Sequence, residues 1–173
     1  MLSLLLLIPL LGAVGLGLWP GLADAAAIRR AAIALLVVQL LASVRVLLAF
    51  DPGISGMQLQ EGISWLGSLG LEYRLGIDGL SMPLVLVNGA LSLVAVIASR
   101  EVQARPRLYF ALLLLISGAV NGAFLANNLL LFFLFYELEL IPLWLLIAVW
   151  GGANRAYAAT KFLIFTAVSG MLI

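Results

Sequence analysis

The sequence predicts an all-α membrane protein, a multi-spanning bundle of transmembrane helices. The first observation is composition: 65% of the 173 residues are hydrophobic and 10% are charged, whereas a soluble domain is about half apolar and about a quarter charged. The second is that the apolar residues form runs of roughly 20, the helical length needed to cross a hydrocarbon core about 30 Å thick. We therefore expect residues 1–173 to form a single transmembrane domain.

Six apolar runs are predicted to span the membrane. The first has no basic segment before it and no small-residue cleavage pattern, so we interpret it as a retained span rather than a signal peptide. The paired amides Asn127 and Asn128 are suited to a tight turn between the fourth and fifth spans. In chain order the predicted spans are Leu2–Trp19, Ala31–Phe50, Leu80–Ala98, Leu108–Ala126, Leu129–Trp150 and Ala156 onward.

The basic residues predict the orientation of these spans. They are concentrated in alternate connections, and basic connections stay on the cytoplasmic side, so the N-terminus is predicted on the non-cytoplasmic side. The long segment 51–79 is then a non-cytoplasmic loop of turns and short strands packed on helix ends, with Asp78 capping the third span. The connections after spans one, three and five contain Arg29 and Arg30; Arg100, Arg105 and Arg107; and Arg155.

The residue types that are missing exclude several kinds of chemistry. The chain has no cysteine and no histidine, so it has no disulfide and none of the usual ligands of zinc, haem or iron–sulfur clusters. We therefore predict no metal site and no cofactor site, and any electron-transfer group has to lie on another chain. A net charge of +1 argues against a nucleic-acid partner.

The stretch FFLFYELELIPLW places two carboxylates, Glu137 and Glu139, inside the fifth span. Counted from Asn128, Glu137 lies about 14 Å deep, close to the membrane midplane. Burial favours the protonated form of a carboxyl group and a nearby cation favours the carboxylate, so a glutamate between the two influences can load and release a proton. The alternative is a neutral structural glutamate bonded to a neighbouring helix.

Three further residues complete the candidate site. Glu139 is turned by about 200° from Glu137 around the helix, so the two are not predicted to share a proton, and its role is left open. Pro142 lacks an N–H and is predicted to kink the helix by freeing the Leu138 carbonyl. Lys161 either snorkels to the interface or exchanges protons as a buried amine. A direct ion pair with Glu137 is not expected, because the two differ in depth by about 11 Å.

At these residues the sequence resembles a known family. The stretches LLLFFLFYELELIPLWLLIAVWGG, RAYAATKFLIFTAVSG and LEYRLGIDGLSMPLVL closely resemble the antiporter-like proton-pumping subunits of complex I. The wording ELELIP and RAYAATKF is similar to the cyanobacterial and chloroplast branch. The resemblance implies that Glu137, in an E-x-x-L-x-P pattern, is the essential carboxylate of a proton path. It also implies that Lys161 is the family lysine of the ATKF motif, whereas Glu139 matches only the photosynthetic branch.

The resemblance implies a membrane subunit of an NAD(P)H–quinone oxidoreductase, which couples quinone reduction to proton translocation. Partner subunits, both membrane and peripheral, would then bind the quinone, the iron–sulfur clusters and the donor, NAD(P)H or ferredoxin. The expected location is the thylakoid or the cytoplasmic membrane. Two alternatives stay open: a subunit of a multi-subunit cation/proton antiporter, and a structural membrane subunit without a proton path.

The last residues of the sequence predict that it is incomplete. The chain stops at Ile173 inside an apolar run that has no flanking charge, and membrane spans usually end at a polar or aromatic anchor. We expect further spans in the full-length protein, including the lysine best suited to pair with Glu137.

Overall fold

A computed structural model describes residues 1–18, 21, 24–66 and 71–172, with the side chains at 64–66 and 71 left aside. This part of the chain folds into six helices and one β-hairpin. The helices are α1 (Leu2–Leu18), α2 (Ala25–Ala49), α3 (Ser81–Ala98), α4 (Pro106–Leu125), α5 (Leu129–Trp150) and α6 (Arg155–Met171), and the strands are β1 (Gln58–Leu66) and β2 (Leu71–Ile77).

The predicted helical membrane bundle is confirmed. Helices α2, α3, α4 and α5 are each long and apolar enough to cross a membrane. Helices α1 and α6 have 17 residues each within the described part of the chain. The fifth span has the predicted bounds, and the other described ends lie within two residues of the prediction, with one exception. The predicted end of the first span, Trp19, lies outside the described residues.

The exception is the start of α2, which the prediction placed six residues too late. The helix begins at Ala25 rather than Ala31, and the Asp24 carboxylate accepts hydrogen bonds from the backbone N–H groups of Ala26 and Ala27 at 3.3 and 3.2 Å. Aspartate is a preferred N-cap and alanine the best helix former, so the helix extends beyond the apolar run. Arg29 and Arg30 therefore belong to the helix, whereas the sequence analysis had placed them in a connection.

Glycines bring the helices of the bundle close together. A Cβ atom at Gly118 of α4 would lie 2.7 Å from Cδ2 of Leu10 in α1, and one at Gly12 would lie 2.7 Å from Cδ1 of Leu35 in α2. A Cβ at Gly122 would overlap the ring of Phe135 in α5. Small residues of this kind allow close packing where lipid supplies no hydrophobic driving force between helices. Helix α4 is consequently the central element, in contact with α1, α2, α3 and α5.

The segment between α2 and α3 forms the predicted strands. Strands β1 and β2 pair antiparallel, with Ile63 opposite Tyr73. The hairpin is joined to the α4–α5 turn, since the Asn127 N–H donates to the Arg74 carbonyl at 2.8 Å and Leu75 forms a bridge with Ala126. At the start of α3, the Asp78 carboxylate accepts from the Ser81 and Leu80 N–H groups. The bond from Ser81 lowers the pKa of Asp78, and the predicted cap is confirmed.

Glu61 of β1 caps the N-terminus of α1. Its carboxylate accepts hydrogen bonds from Leu2 N at 2.8 Å, Ser3 N at 3.0 Å and Ser3 Oγ at 2.6 Å, and it pairs with the Met1 ammonium group. Partial burial raises the pKa of Glu61, but these hydrogen bonds outweigh burial and lower it from 4.5 to about 2. The hairpin, the start of α1 and the α4–α5 turn therefore lie at one end of the bundle.

The arginines at the opposite end bind helix C-termini. The Arg29 guanidinium donates to the carbonyls of Val96 and Ile97, at the end of α3, at 3.1 and 2.7 Å. Arg155 donates to the Val149 carbonyl near the end of α5 at 2.9 Å. A cation at a helix C-terminus satisfies free carbonyls and interacts favourably with the helix dipole. These two arginines link the ends of neighbouring helices, α2 with α3 and α6 with α5.

Substituting Glu61 by glutamine is expected to lower the free energy of unfolding by about 1–3 kcal/mol, because hydrogen bonds to a charged group are replaced by neutral ones. The folded-state pKa lies below the usual one, so the stabilisation is present above about pH 4.5 and is lost as the pH falls toward 2. Thermal unfolding in lipid nanodiscs between pH 3 and 7 measures both effects.

Glu72→Gln is the matched control on the same hairpin. Glu72 pairs with Arg74 at 2.8 Å, but the side chains are 37% and 61% exposed, and such surface pairs contribute about 0–1 kcal/mol. Equal losses of stability in the two variants would contradict the proposed cap.

Candidate functional site

Glu137 lies in the middle of α5 and faces α6. The register of α5 is set by Asn128, whose side-chain oxygen accepts hydrogen bonds from Leu130 N at 2.8 Å and Leu131 N at 3.3 Å. About 14 Å along the helix from Asn128, the Oε1 atom of Glu137 is buried and has no hydrogen-bond partner among the described residues. It occupies the place where a side chain at Gly170 of α6 would begin.

A buried carboxyl oxygen without a partner is an unfavourable arrangement in an apolar environment. A native protein resolves it by a bound proton, by a water molecule or by a cation that approaches the group. All three resolutions are reversible. The position of Glu137 is therefore suited to a group whose protonation changes during function.

Glu139 has different surroundings. It is half-buried in α5, and in the described part of the chain it forms no ion pair with any of the basic residues. Because it is turned by about 200° from Glu137, it does not reach the same face of α6. Glu137 therefore contacts Gly170, and Glu139 does not.

Pro142 is buried, and α5 is assigned as one continuous helix from Leu129 to Trp150 that includes this proline. The proline removes the hydrogen bond that would otherwise reach the Leu138 carbonyl. The acceptor that is released lies one residue from Glu137, in the half of the helix nearer the hairpin.

Lys161 is an exposed residue of α6. Its ammonium group lies 5.8 Å from the ring centre of Tyr157 and 5.9 Å from that of Phe165, one turn before and one turn after it on α6. Aromatic faces at this distance attract a cation. The structure does not bring Lys161 and Glu137 together in an ion pair, as expected from their difference in depth.

A cluster of amide side chains between α1, α2, α3 and α4 was not predicted. The side chain of Gln39 in α2 donates to Ser117 Oγ at 2.9 Å, and that of Asn88 in α3 donates to the Asn121 side-chain oxygen at 2.8 Å. Gln39, Ser117 and Asn121 are completely buried. Isolated amides within apolar spans are the sequence signal that would have identified this cluster.

Asn121 also repairs a defect in α1. Pro9 has no N–H, so the carbonyl of Leu5, four residues earlier, lacks its helical partner. The Asn121 amide donates to this carbonyl at 3.2 Å. Neighbouring helices satisfy backbone groups freed by proline in this way within membranes. The amide cluster therefore has an evident structural role.

The fold and the buried glutamate resemble those of the antiporter-like membrane subunits. Residues 126–173, which include every predicted site residue, match the family described as NADH:quinone oxidoreductase/Mrp antiporter, TM. Over 99% of its length the chain is 42% identical to NAD(P)H-quinone oxidoreductase chain 4 of Synechococcus sp. (strain WH7803). The predicted resemblance is confirmed. Over 99% of its length the chain is similar to chain 4 of the cyanobacterial oxidoreductase.

Solved structures show the same fold. A chain of the respiratory complex I from Thermus thermophilus with bound NADH superimposes with a TM-score of 0.84, at 27% identity over 98% of this chain and 33% of that one. A chain of the Mrp complex from Dietzia sp. DQ12-45-1b superimposes with a TM-score of 0.79, at 20% identity over 98% of this chain and 18% of that one. The present chain spans about a third, 31%, of the Synechococcus relative.

Substituting Asn121 by leucine is expected to destabilise the bundle by about 1–2 kcal/mol, because the amide bonds to Asn88 and to the Leu5 carbonyl are lost. Adding Pro9→Ala restores a helical donor to that carbonyl, so the double variant is expected to recover part of the loss. Thermal unfolding of the two single variants and the double variant in nanodiscs measures the coupling.

Ser92→Ala is the control for this cycle. The Ser92 hydroxyl lies 3.5 Å from the Asn88 side-chain oxygen, a distance at which a hydrogen bond contributes little. Strictly additive effects of Asn121→Leu and Pro9→Ala would contradict the repair of α1 by Asn121.

Proposed function

We propose that the chain acts in the membrane arm of an NAD(P)H–quinone oxidoreductase of the complex I type, where it contributes to the translocation of protons driven by quinone reduction. The observation that carries the proposal is the buried, unpartnered carboxyl oxygen of Glu137 in the middle of a membrane helix. The match of this segment to the oxidoreductase/antiporter family supports it. The identity of 42% to an oxidoreductase chain favours this function over that of a cation/proton antiporter subunit.

In the proposed mechanism Glu137 is the proton carrier. In the first of two proposed states, the carboxyl group holds a proton while its Oε1 atom lies against Gly170 of α6. A cation that approaches the free side of the group favours the carboxylate and so releases the proton. Alternation between these two states moves protons if the group meets water on opposite sides of the membrane in turn. Lys161 belongs to the same path, connected to Glu137 through water or an intervening side chain.

The remaining chemistry is assigned to partner subunits. They bind the donor, NAD(P)H or ferredoxin, the iron–sulfur clusters and the quinone, and this chain binds none of these groups. The protein is an integral membrane protein, and we propose the thylakoid or cytoplasmic membrane as its location. The end of the bundle with Arg29 and Arg155 is assigned to the cytoplasmic side, which places the hairpin and the start of α1 on the other side.

Glu137→Gln is expected to abolish most of the proton translocation assigned to this subunit. The amide has the shape of the carboxyl group but cannot bind and release a proton in the same way. A loss of about 10²-fold or more in translocation through this path is expected for the removal of an essential proton-transfer group. Proton uptake into vesicles that contain the assembled oxidoreductase, measured with a pH-sensitive dye during quinone reduction, provides the test.

Glu139→Gln in the same assembly is the matched control, since it changes an identical residue two positions along α5. We expect this variant to retain more translocation than Glu137→Gln. Full pumping per quinone reduced in Glu137→Gln would refute the proposed path and favour a structural subunit.

A further inference from the structure

Helix α6 presents a glycine to the Glu137 carboxyl group. Gly170 is buried, and a Cβ atom built on it would overlap Oε1 of Glu137 and lie 3.3 Å from Cε1 of Tyr136. The carboxyl group thus fills the space that a side chain at position 170 would take. The contact joins the proposed proton carrier to the backbone of the neighbouring helix.

The surroundings of Gly170 differ from those of the other glycines in the described helices. Gly12, Gly89, Gly118 and Gly122 make room for hydrocarbon side chains of neighbouring helices, and Gly15 faces open space. At Gly170 the nearest atom is a carboxyl oxygen. Gly170 is the last residue but one of α6, and the absence of a side chain there leaves room for the Glu137 carboxyl group.

The backbone of α6 leaves this side of the carboxyl group without a partner. The N–H groups inside a helix are already bonded to carbonyls one turn earlier, and glycine adds no donor of its own. The oxygen is therefore held in place by shape and not by a hydrogen bond. A carboxyl group held in this manner exchanges its proton without first breaking a bond to the protein.

We propose that Gly170 is a positioning residue for Glu137: its missing side chain fixes the carboxyl group against α6, where the Oε1 atom is buried and has no hydrogen-bond partner among the described residues. The inference rests on the proposed function of Glu137 as the proton carrier. Any larger residue at this position displaces the carboxyl group toward α5 or toward the open side of the helix pair. A displacement of about 1 Å at a reacting group is enough to reduce a rate by up to about 10²-fold.

The test uses the full-length protein in the assembled oxidoreductase. Gly170→Ala is expected to reduce proton translocation per quinone reduced by about tenfold, with the subunit still assembled. The rescue variant is Gly170→Ala combined with Glu137→Asp, whose side chain is shorter by one methylene group and so leaves space for the alanine methyl. We expect the double variant to translocate at least about threefold faster than Gly170→Ala alone, a non-additive effect of two residues in contact.

Infrared difference spectroscopy supplies a second readout. The C=O stretching band of the protonated carboxyl group, identified by its loss in Glu137→Gln, is expected to change frequency in Gly170→Ala, since the group moves to new surroundings. Gly15→Ala is the control, because it adds the same methyl group to a membrane helix where nothing lies within 4 Å. It is expected to leave both the band and the translocation rate unchanged.

The outcomes separate the two proposals. Loss of translocation in Glu137→Gln together with normal rates and an unshifted band in Gly170→Ala would overturn the role of Gly170 and leave the proton path standing. A defect in Gly170→Ala that Glu137→Asp does not relieve would also overturn it, because the methyl group would then act on helix packing alone. Normal translocation in Glu137→Gln would refute the proton path itself.

Discussion

Hydrocarbon offers no partner to a polar group, and this constraint explains most of the arrangement described here. Backbone groups satisfy it through helices. The buried side chains of Gln39 and Ser117 satisfy it through each other, and that of Asn121 through Asn88 and the Leu5 carbonyl. Even the carbonyl that Pro9 leaves without a helical donor receives one from the facing helix. Against this background Glu137 is the exception. Its buried Oε1 atom has no hydrogen-bond partner in the described structure. Where the other buried polar groups are hydrogen-bonded, such an exception indicates a functional site.

The same constraint shapes the ends of the helices. Side-chain oxygens of Asp24, Asn128 and Glu61 receive the free N–H groups where α2, α5 and α1 begin. The guanidinium groups of arginines donate hydrogen bonds to the free carbonyls where α3 and α5 end. Acidic and amide residues at helix starts and cations at helix ends complement the helix dipole. Because odd-numbered helices finish at one end of the bundle, Arg29 and Arg155 both lie at that end.

The sequence was sufficient for the features that depend on hydropathy alone. Run length predicted the bundle and most of the helix ends. The start of α2 was missed because a cap and helix-forming alanines override the boundary of the apolar run. The amide cluster was missed because each member is a single polar residue, and its meaning depends on three partners distant in sequence. The contact between Glu137 and Gly170 could not be predicted either, because the residue spacing within α5 and α6 does not indicate which residues of the two helices face one another.

The cap that Glu61 places on α1 has a consequence for biosynthesis. The N–H groups of Leu2 and Ser3 bond to a carboxylate that is synthesised later, 59 residues after Leu2 and 58 residues after Ser3. At about 5–20 residues per second, the ribosome needs roughly 3–12 s to make that stretch. During this interval the N–H groups at the start of α1 lack the carboxylate that caps them in the folded protein. The cap of the first helix therefore forms only after α2 has been synthesised and the hairpin has formed.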